Sequence, residues 1–247
     1  MLDLKSQADD PNDRNYSATN LGTWTSISQV DTFLNKFNRA TAYKDGNTKL
    51  RVGNYVTIQD GSYNQIWEIA GFDVESKQNA SDGTIYDNGY GIALIPRTQL
   101  TNAKWSSIGS TTIGGYIAST MHTSTLPDIV TYIKRVLGSH IINRNVLLSS
   151  SVGKDYYSNG YTWTKADATL MSIGQMTGNF GSNSNIYDDG EAFYKLPIFN
   201  SKEYKTGSKF WTRGIRGYQI LYINNDGSIN AENIGYIYGV RPLIYIR

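Results

Sequence analysis

The sequence predicts an α+β domain rather than a doubly wound parallel sheet. Strand-type patterns fill residues 50–97 and 218–247, a helical pattern lies between them, and strands do not alternate regularly with helices. The 247 residues fit one large domain, or one domain with a small appendage, at about 100–200 residues per domain. The absence of cysteine excludes disulfide scaffolds, cysteine-ligated zinc, iron–sulfur clusters and thiol nucleophiles.

The composition argues against nucleic acid as a partner and favours a surface rich in tyrosine. The 23 Lys and Arg balance 21 Asp and Glu, so the chain lacks the basic excess of nucleic-acid-binding proteins. Charged residues reach only 18%, whereas 19 tyrosines help to raise the aromatic share to 13%. Surfaces built from Tyr, Asn, Ser and Gly are typical of adhesive and virion proteins, because tyrosine supplies rigid contact area. Tyrosine is also a good strand residue, so composition alone leaves both interpretations open.

Residues 1–48 are predicted to form an N-terminal arm and a short helix, and residues 49–247 to form the main domain. The acidic, proline-containing residues 9–13 disfavour regular structure, so we expect an arm that orders on a partner. Ser28 can cap a helix in which Phe33 and Phe37 are core or docking residues. Because no signal-peptide pattern and no apolar run of about 20 residues occurs, we expect synthesis in the cytoplasm and no membrane partner.

Three strands are predicted in the first half of the main domain. Residues 55–58 and 66–74 read as strands joined by a turn at Asp60 and Gly61. Residues 91–97 are almost continuously apolar, which predicts a strand buried on both faces.

Two helices are predicted in the middle of the chain. In the first, Thr125 is the expected N-cap, Pro127 lies in the first turn and Gly138 is the stop. The second is shorter, begins at residues 164–167 and directs apolar side chains inward. Those side chains are Leu170, Met171 and Ile173.

The C-terminal residues are predicted to return to strands. Residues 218–224 and 228–234 flank Asn225-Asp226-Gly227, which is a strong hairpin signal. Residues 239–247 form a further strand, in which Pro242 favours an edge position or a bulge.

Neither histidine shows the neighbours that catalysis or metal binding would require. His122 and His140 each lack a second ligand-type residue at metal spacing, so structural roles are expected for both. The acidic loop at residues 188–191 could serve a hydrolase or bind calcium, but adjacent loop carboxylates are usually solvated. The sequence therefore predicts no catalytic residue and no cofactor, with calcium only a weak alternative.

The best binding candidates lie in a predicted loop over residues 155–163. Tyr156, Tyr157 and Tyr161 can stack on the apolar faces of sugars, while Asn159 can read their polar edges. The alternative is that these tyrosines pack beneath the loop. Trp163 is expected to fill the core in front of the second helix.

Short motifs in a fixed order give the chain a resemblance to a known family. They are Phe210-Trp211-Thr212-Arg213, Asp226-Gly227 and Gly239-Val240-Arg241-Pro242, preceded by residues 51–55 (RVGNY) and 67–70 (WEIA). Together they resemble an uncharacterised bacterial and phage domain family that runs W-L-R, a strand, a turn and then G-V-R-P. That family is similar to the C-type-lectin-like fold, in the branch that includes formylglycine-generating enzymes.

This resemblance implies a compact α+β domain with small twisted antiparallel sheets, two main helices and long loops. It implies that five residues define the fold, namely Trp211, Arg213, Gly239, Arg241 and Pro242. The enzymes of that branch depend on cysteine, so their activity is not expected here. The calcium signatures of C-type lectins, E-P-N and W-N-D, are also absent from the sequence.

The resemblance and the composition together lead us to expect a non-enzymatic bacteriophage virion protein. Its residues 1–48, through Phe33 and Phe37, would attach to other virion proteins, and its main domain would adhere to a host-surface polysaccharide. Nucleic acid and membrane are not expected partners, and homo-oligomerisation stays open. One alternative is a purely structural decoration or fibre protein of the capsid or tail, and a less favoured one is a cell-wall hydrolase.

Overall fold

The computed structural model describes residues 18–36, 50–75, 77–80, 82–107, 112–152, 158–178, 195–200 and 207–247. Within these ranges the protein is α+β, with most of its regular structure in small sheets and few helices. None of the helices in these ranges is long and apolar enough to cross a membrane.

The largest sheet in the described residues has six strands in the order β1-β2-β3-β6-β15-β10. Its strands are β1 (Asn20–Trp24), β2 (Tyr55–Asp60), β3 (Tyr63–Phe72), β6 (Ile92–Pro96), β10 (Ala168–Leu170) and β15 (Pro242–Ile246). The first pair is parallel and the other pairs are antiparallel, so the sheet is mixed rather than antiparallel throughout.

A five-stranded sheet follows the order β13-β12-β11-β14-β7. Its strands are β7 (Thr101–Lys104), β11 (Phe210–Arg216), β12 (Gln219–Ile223), β13 (Ile229–Asn233) and β14 (Ile237–Val240). It is also mixed, because β11 and β14 pair in parallel. Two further antiparallel pairs join β4 (Lys77–Asn79) to β5 (Ile85–Asp87) and β8 (Arg144–Val152) to β9 (Ser158–Ala166).

The α-helices of the described ranges are α1 (Ile27–Lys36), α2 (Leu126–Leu137) and α3 (Ile173–Thr177). The predicted helix up to Leu137 is confirmed, and Gly138 stops it at φ 58°. A side chain at Gly138 would collide with Ile27 of α1, since the nearest Ile27 carbon lies 2.8 Å from the Cβ position. The expected cap is wrong: Thr125 has helical backbone angles and makes no side-chain cap, because a π-helical turn over Met121–Thr125 already leads into α2.

Buried side chains in the described ranges form three clusters in successive layers. The first joins α1 and α2 to one face of the six-stranded sheet, with Trp24, Trp67 and Ile133 among its members. The second lies between the two large sheets and includes Ile95 and Phe210. The third lies against the other face of the five-stranded sheet and includes Trp211, Trp105 and Tyr116.

The predicted boundary at residue 48 does not separate the short helix from the main domain. Strand β1 pairs in parallel with β2, and Val30 and Phe33 of α1 belong to the first cluster. Residues 20–36 are therefore part of the main domain. A helix as short as α1 gains most of its stability from such packing, so we expect it to form only together with the core.

The predicted second helix at residues 164–173 is wrong. Residues 158–166 form β9 and residues 168–170 form β10, and the short helix α3 begins only at Ile173. The run T-W-T-K-A pairs with β8 residue by residue, and Thr and Trp are both favoured in strands. Ser172 caps α3 by accepting from the backbone N–H of Gln175, while the Gln175 side chain accepts from the N–H of Ser172.

Pro242 does not lie in an edge strand. It is the first residue of β15, which lies between β6 and β10 in the six-stranded sheet. At the first position of a strand, the missing N–H of proline removes no bond from the body of the ladder. Arg241 alone separates β14 from β15, so the chain passes from one large sheet to the other at this residue.

The other predicted strands are confirmed. Strands β2 and β3 form a hairpin, and β6 is buried along its whole length. Strands β12 and β13 form the hairpin around residues 225–227, with Gly227 at φ 82°.

Buried arginines link the two large sheets. The Nε of Arg241 donates to the carbonyl of Pro96 over 3.1 Å, and its guanidinium lies 4.8 Å from the ring centroid of Phe210. Arg213 of β11 donates to the carbonyl of Leu170 in β10 over 3.3 Å. Burial lowers the pKa of Arg241 to about 10 while the Glu68 carboxylate raises it, so the guanidinium stays charged at neutral pH.

We expect Arg241→Met to lower the free energy of unfolding by about 1–3 kcal/mol, because the variant leaves the buried carbonyl of Pro96 without its donor, while the nearby Glu68 carboxylate keeps its bond from Arg97. Urea denaturation at pH 7 measures the change. Arg216→Met is the matched control, since Arg216 ends β11 with its side chain exposed and should change stability by less than about 0.5 kcal/mol. Equal stability of the two variants would contradict a linking role for Arg241.

Candidate ligand-binding surface

The described part of the predicted binding loop lies in strand β9. Tyr161 and Trp163 are two residues apart, and side chains at this spacing share one face of a strand. Tyr161 is 38% exposed and Trp163 is half-buried. Their partners in the ladder are Ser149 and Leu147 of β8.

Trp163 packs against a second aromatic side chain from another sheet. Its ring stacks on Tyr86 of β5 with centroids 4.2 Å apart and planes inclined by 27°. The neighbouring Ile85 is 64% exposed. Tyr161, Trp163 and Tyr86 together define what we call the hairpin surface.

A pair of amides fixes β5 relative to β8. The side chain of Asn88 donates to the carbonyl of Asn145 over 3.0 Å and accepts from its N–H over 2.8 Å. Since Asn88 is buried and follows β5 directly, this reciprocal bond holds the stacked rings in place. The side chains of the hairpin surface are therefore preorganised by strands rather than carried on a loop tip.

A buried polar network around Glu75 holds Arg144, the first residue of β8. Arg144 donates to the carbonyls of Val74 and Glu75, and its guanidinium lies 3.6 Å from the ring centroid of Tyr245. The Glu75 carboxylate accepts from Gln175 over 2.9 Å and from the Tyr245 hydroxyl over 3.2 Å. Buried polar groups need such partners, so these bonds fix the position of Arg144 relative to Glu75 and Tyr245.

The structure brings together only some of the predicted ligand residues. Tyr156 and Tyr157 lie outside the described residues, and Asn159 lies in β9 without a described side chain. The expectation that Trp163 fills the core is wrong, because its ring stacks on Tyr86 at a half-buried position. The prediction of a loop also fails from residue 158 onward, where β9 begins.

Phe33 is a core residue, whereas the sequence left open whether it has a core or a docking role. It is 7% exposed and packs on Trp24, with ring centroids 4.8 Å apart. Because the side chain is already covered by the chain itself, it does not offer the docking surface expected for virion attachment. Phe37 lies outside the described residues.

The residues expected to define the fold are packed inside it. Trp211 has no exposed side-chain surface and its Nε1 donates to the carbonyl of Ala103 over 2.9 Å. Gly239 lies where a Cβ would come within 2.9 Å of the carbonyl oxygen of Lys209, so only glycine permits this approach. Arg213, Arg241 and Pro242 are buried at the contact between the large sheets.

The histidines make structural contacts. Burial lowers the pKa of His122, whose ring lies 5.2 Å from that of Tyr116. His140 contacts Asp31 through Nε2 at 2.7 Å and the carbonyl of Arg247 through Nδ1 at 2.8 Å. Within the described ranges no three His, Cys, Asp or Glu residues are grouped as a metal site would need.

The acidic loop considered for calcium or hydrolysis, residues 188–191, lies outside the described residues. The other oxygen-rich segment is a turn, in which Asp226 accepts from the backbone N–H of Ser228 over 2.9 Å.

The sequence did not reveal a second group of tyrosines on the five-stranded sheet. The rings of Tyr222 and Tyr238 lie 4.6 Å apart, and Tyr236 lies 6.3 Å from Tyr238. The alternation Y-I-Y at residues 236–238 is the one available signal, since it places both tyrosines on one face. Tyr222 joins them only through strand pairing, which sequence spacing does not give.

Comparison with protein-family models, with curated proteins and with solved structures finds no match for this chain.

The buried network of Glu75 and Tyr245 makes the free energy of unfolding sensitive to alkaline pH. Burial and the nearby Glu75 carboxylate raise the pKa of Tyr245, so its phenol keeps its proton in the folded chain at pH values where an unfolded tyrosine loses it. The stabilisation is complete below pH 10 and is lost as pH rises above 10.

We expect Tyr245→Phe to cost about 1 kcal/mol at pH 7 through the lost hydrogen bond, and to be less sensitive than the wild type to a rise in pH above 10. Unfolding curves in urea at pH 7, 9, 10.5 and 11.5 measure both effects. A constant difference in stability across this range would mean that Tyr245 titrates alike in both states, which would contradict the role of burial.

Proposed function

We propose that the chain is a non-enzymatic bacteriophage virion protein whose domain binds a host-surface polysaccharide, with a C-type-lectin-like fold. The observation that carries the binding role is the stacked pair of Tyr86 and Trp163 beside the exposed Tyr161. The virion role rests on the W-T-R and G-V-R-P motifs and on a composition rich in Tyr, Asn, Ser and Gly.

Carbohydrate suits the chemistry of the hairpin surface. Pyranose rings present apolar C–H faces that pack on aromatic rings, and they carry hydroxyl groups around the edge. Tyr161 is exposed on the same face of β9 as Trp163, so its phenol adds a hydroxyl beside the stacked rings. Hydroxyls next to rings are the pairing that a sugar requires.

The rigidity of the hairpin surface favours binding. Association costs about 0.5–1.5 kcal/mol for each side chain that has to be immobilised. The stacking of Trp163 on Tyr86 and the amide pair of Asn88 and Asn145 have already fixed most of these groups. Affinity for a repeating polymer can then arise from many modest contacts.

A second candidate role is a purely structural one, as a decoration or fibre protein of the capsid or tail. Ile85, 64% exposed beside Tyr86, favours this role, because an aliphatic side chain packs on protein better than on sugar. The two roles differ in what covers the hairpin surface on the particle.

We expect the purified chain to bind at least one polymer on an array of bacterial capsular and wall polysaccharides, and Trp163→Ala to weaken that binding about tenfold, which equals about 1.4 kcal/mol. Tyr132→Ala is the control, since Tyr132 is an exposed aromatic side chain on α2, outside the hairpin surface. Circular dichroism checks that each variant is folded.

Binding to no polymer, or equal binding by folded Trp163→Ala and Tyr132→Ala, would contradict the proposal. Incubation with the bound polymer should release no sugar, and release would favour the hydrolase alternative.

Excess purified protein should also reduce adsorption of the phage that carries this protein, because the free protein occupies the same receptor.

A further inference from the structure

The five-stranded sheet carries a second aromatic surface, distinct from the hairpin surface. It consists of Tyr222 in β12, Tyr238 in β14 and Tyr236 just before β14, and we call these three residues the tyrosine face. Tyr222 pairs directly with Trp211 of β11, and β14 lies on the other side of β11. Strand pairing therefore gathers these side chains, which are far apart in sequence, on one side of the sheet.

Trp211 forms the buried floor of the tyrosine face. Its ring lies 4.6 Å from that of Tyr238 and meets Tyr222 edge-on at 6.2 Å. Tyr222 and Tyr238 also contact each other, with centroids 4.6 Å apart. Because the indole N–H is bonded to Ala103, the rings rest on a support that cannot rotate freely.

Exposure increases outward from this floor. Trp211 is fully buried and Tyr222 is 8% exposed, whereas Tyr236 is 53% exposed. Aromatic side chains that only fill a core do not leave half of an outer ring in solvent. Tyr236 therefore extends the packed cluster into a surface that a ligand can reach.

A cation, an anion and a neutral amide lie near the rings of the tyrosine face. The Lys209 ammonium lies 5.4 Å from the ring centroid of Tyr238 and 5.7 Å from that of Tyr222. Asn230 of β13 pairs with Tyr222 and is exposed. Glu232 lies two residues beyond Asn230 in β13 and therefore on the same face of the sheet. Burial, together with the neighbouring Tyr222, Glu232 and Tyr236, raises the pKa of Tyr238 to about 12.

We propose that the tyrosine face is a second binding site, which takes an uncharged pyranose unit of a polysaccharide. The open ring of Tyr236 supplies the stacking surface, and the hydroxyl of Tyr238 with the side chain of Asn230 meets the sugar hydroxyls. One ammonium and one carboxylate, Lys209 and Glu232, balance each other beside the rings, so the site offers no net charge to an acidic sugar.

This site does not depend on the hairpin surface. It uses no residue of β5, β8 or β9, so it can bind sugar whether or not Trp163 does. A chain with both sites would hold a repeating polymer at two points, and the second contact would raise the overall affinity without new chemistry.

The probes are soluble oligosaccharides, namely chitohexaose, maltohexaose and cellohexaose as neutral ligands and oligogalacturonate as an acidic one. Binding to the full chain is measured by saturation-transfer NMR and by calorimetry. The variants are Tyr236→Ala, its control Tyr218→Ala, and Trp163→Ala from the hairpin surface. Tyr218 and Tyr236 are both 53% exposed, so the two truncations remove the same exposed group from different places.

We expect at least one neutral oligosaccharide to bind the Trp163→Ala variant. Adding Tyr236→Ala to this variant should weaken the binding at least tenfold, whereas adding Tyr218→Ala should leave the binding unchanged. Failure of all neutral oligosaccharides to bind would overturn the proposal. So would a preference for oligogalacturonate, or an equal loss in the Tyr218 variant. Loss of polymer binding in Trp163→Ala alone, with Tyr236→Ala unaffected, would support the hairpin surface and overturn the tyrosine face.

Discussion

Three buried arginines hold the layers of this protein together by donating to backbone carbonyls across sheet boundaries. Arg241 reaches Pro96 at the end of β6, Arg213 reaches Leu170 in β10, and Arg144 reaches Val74 and Glu75 beyond β3. A buried carbonyl needs a donor, so each arginine fixes the position of the carbonyl that it meets. The link at Arg241 is the tightest constraint, because one residue carries the chain from β14 into β15.

Both aromatic surfaces depend on this arrangement of layers. The hairpin surface lies on β9, whose partner β8 begins at Arg144, and the tyrosine face lies on the sheet that Arg213 and Arg241 join to the rest. Aromatic side chains on rigid strands lose little conformational freedom when a ligand binds. The scaffold therefore makes two surfaces competent for binding, while the chemistry at each surface is supplied by a few rings and nearby polar groups.

The sequence predicted the α+β class and the hairpins correctly because their signals are local. The turn at Gly61, the Asn-Asp-Gly turn and the stop at Gly138 each require a backbone angle that glycine adopts without strain. The prediction of a loop and then a helix over residues 158–170 is wrong because Thr164-Lys165-Ala166-Asp167 resembles a helix start, whereas the ladder to β8, which has no local signal, makes residues 158–166 a strand. Pro242 was misplaced because an edge and a strand start look alike in sequence. Likewise, packing between two sheets brings Tyr86 to Trp163, and pairing through β11 brings Tyr222 to Tyr238. Neither contact has a signal in the local sequence, so the sequence predicts only part of each surface.

Native-state hydrogen exchange tests most directly whether the buried arginines join the two large sheets into one cooperative unit. The amides to compare are those of β6 in the six-stranded sheet and of β12 in the five-stranded sheet, both buried. If the sheets open together, these amides exchange with the same free energy, equal to that of global unfolding. Exchange in β12 through an opening several kcal/mol cheaper than that of β6 would contradict the cooperative link.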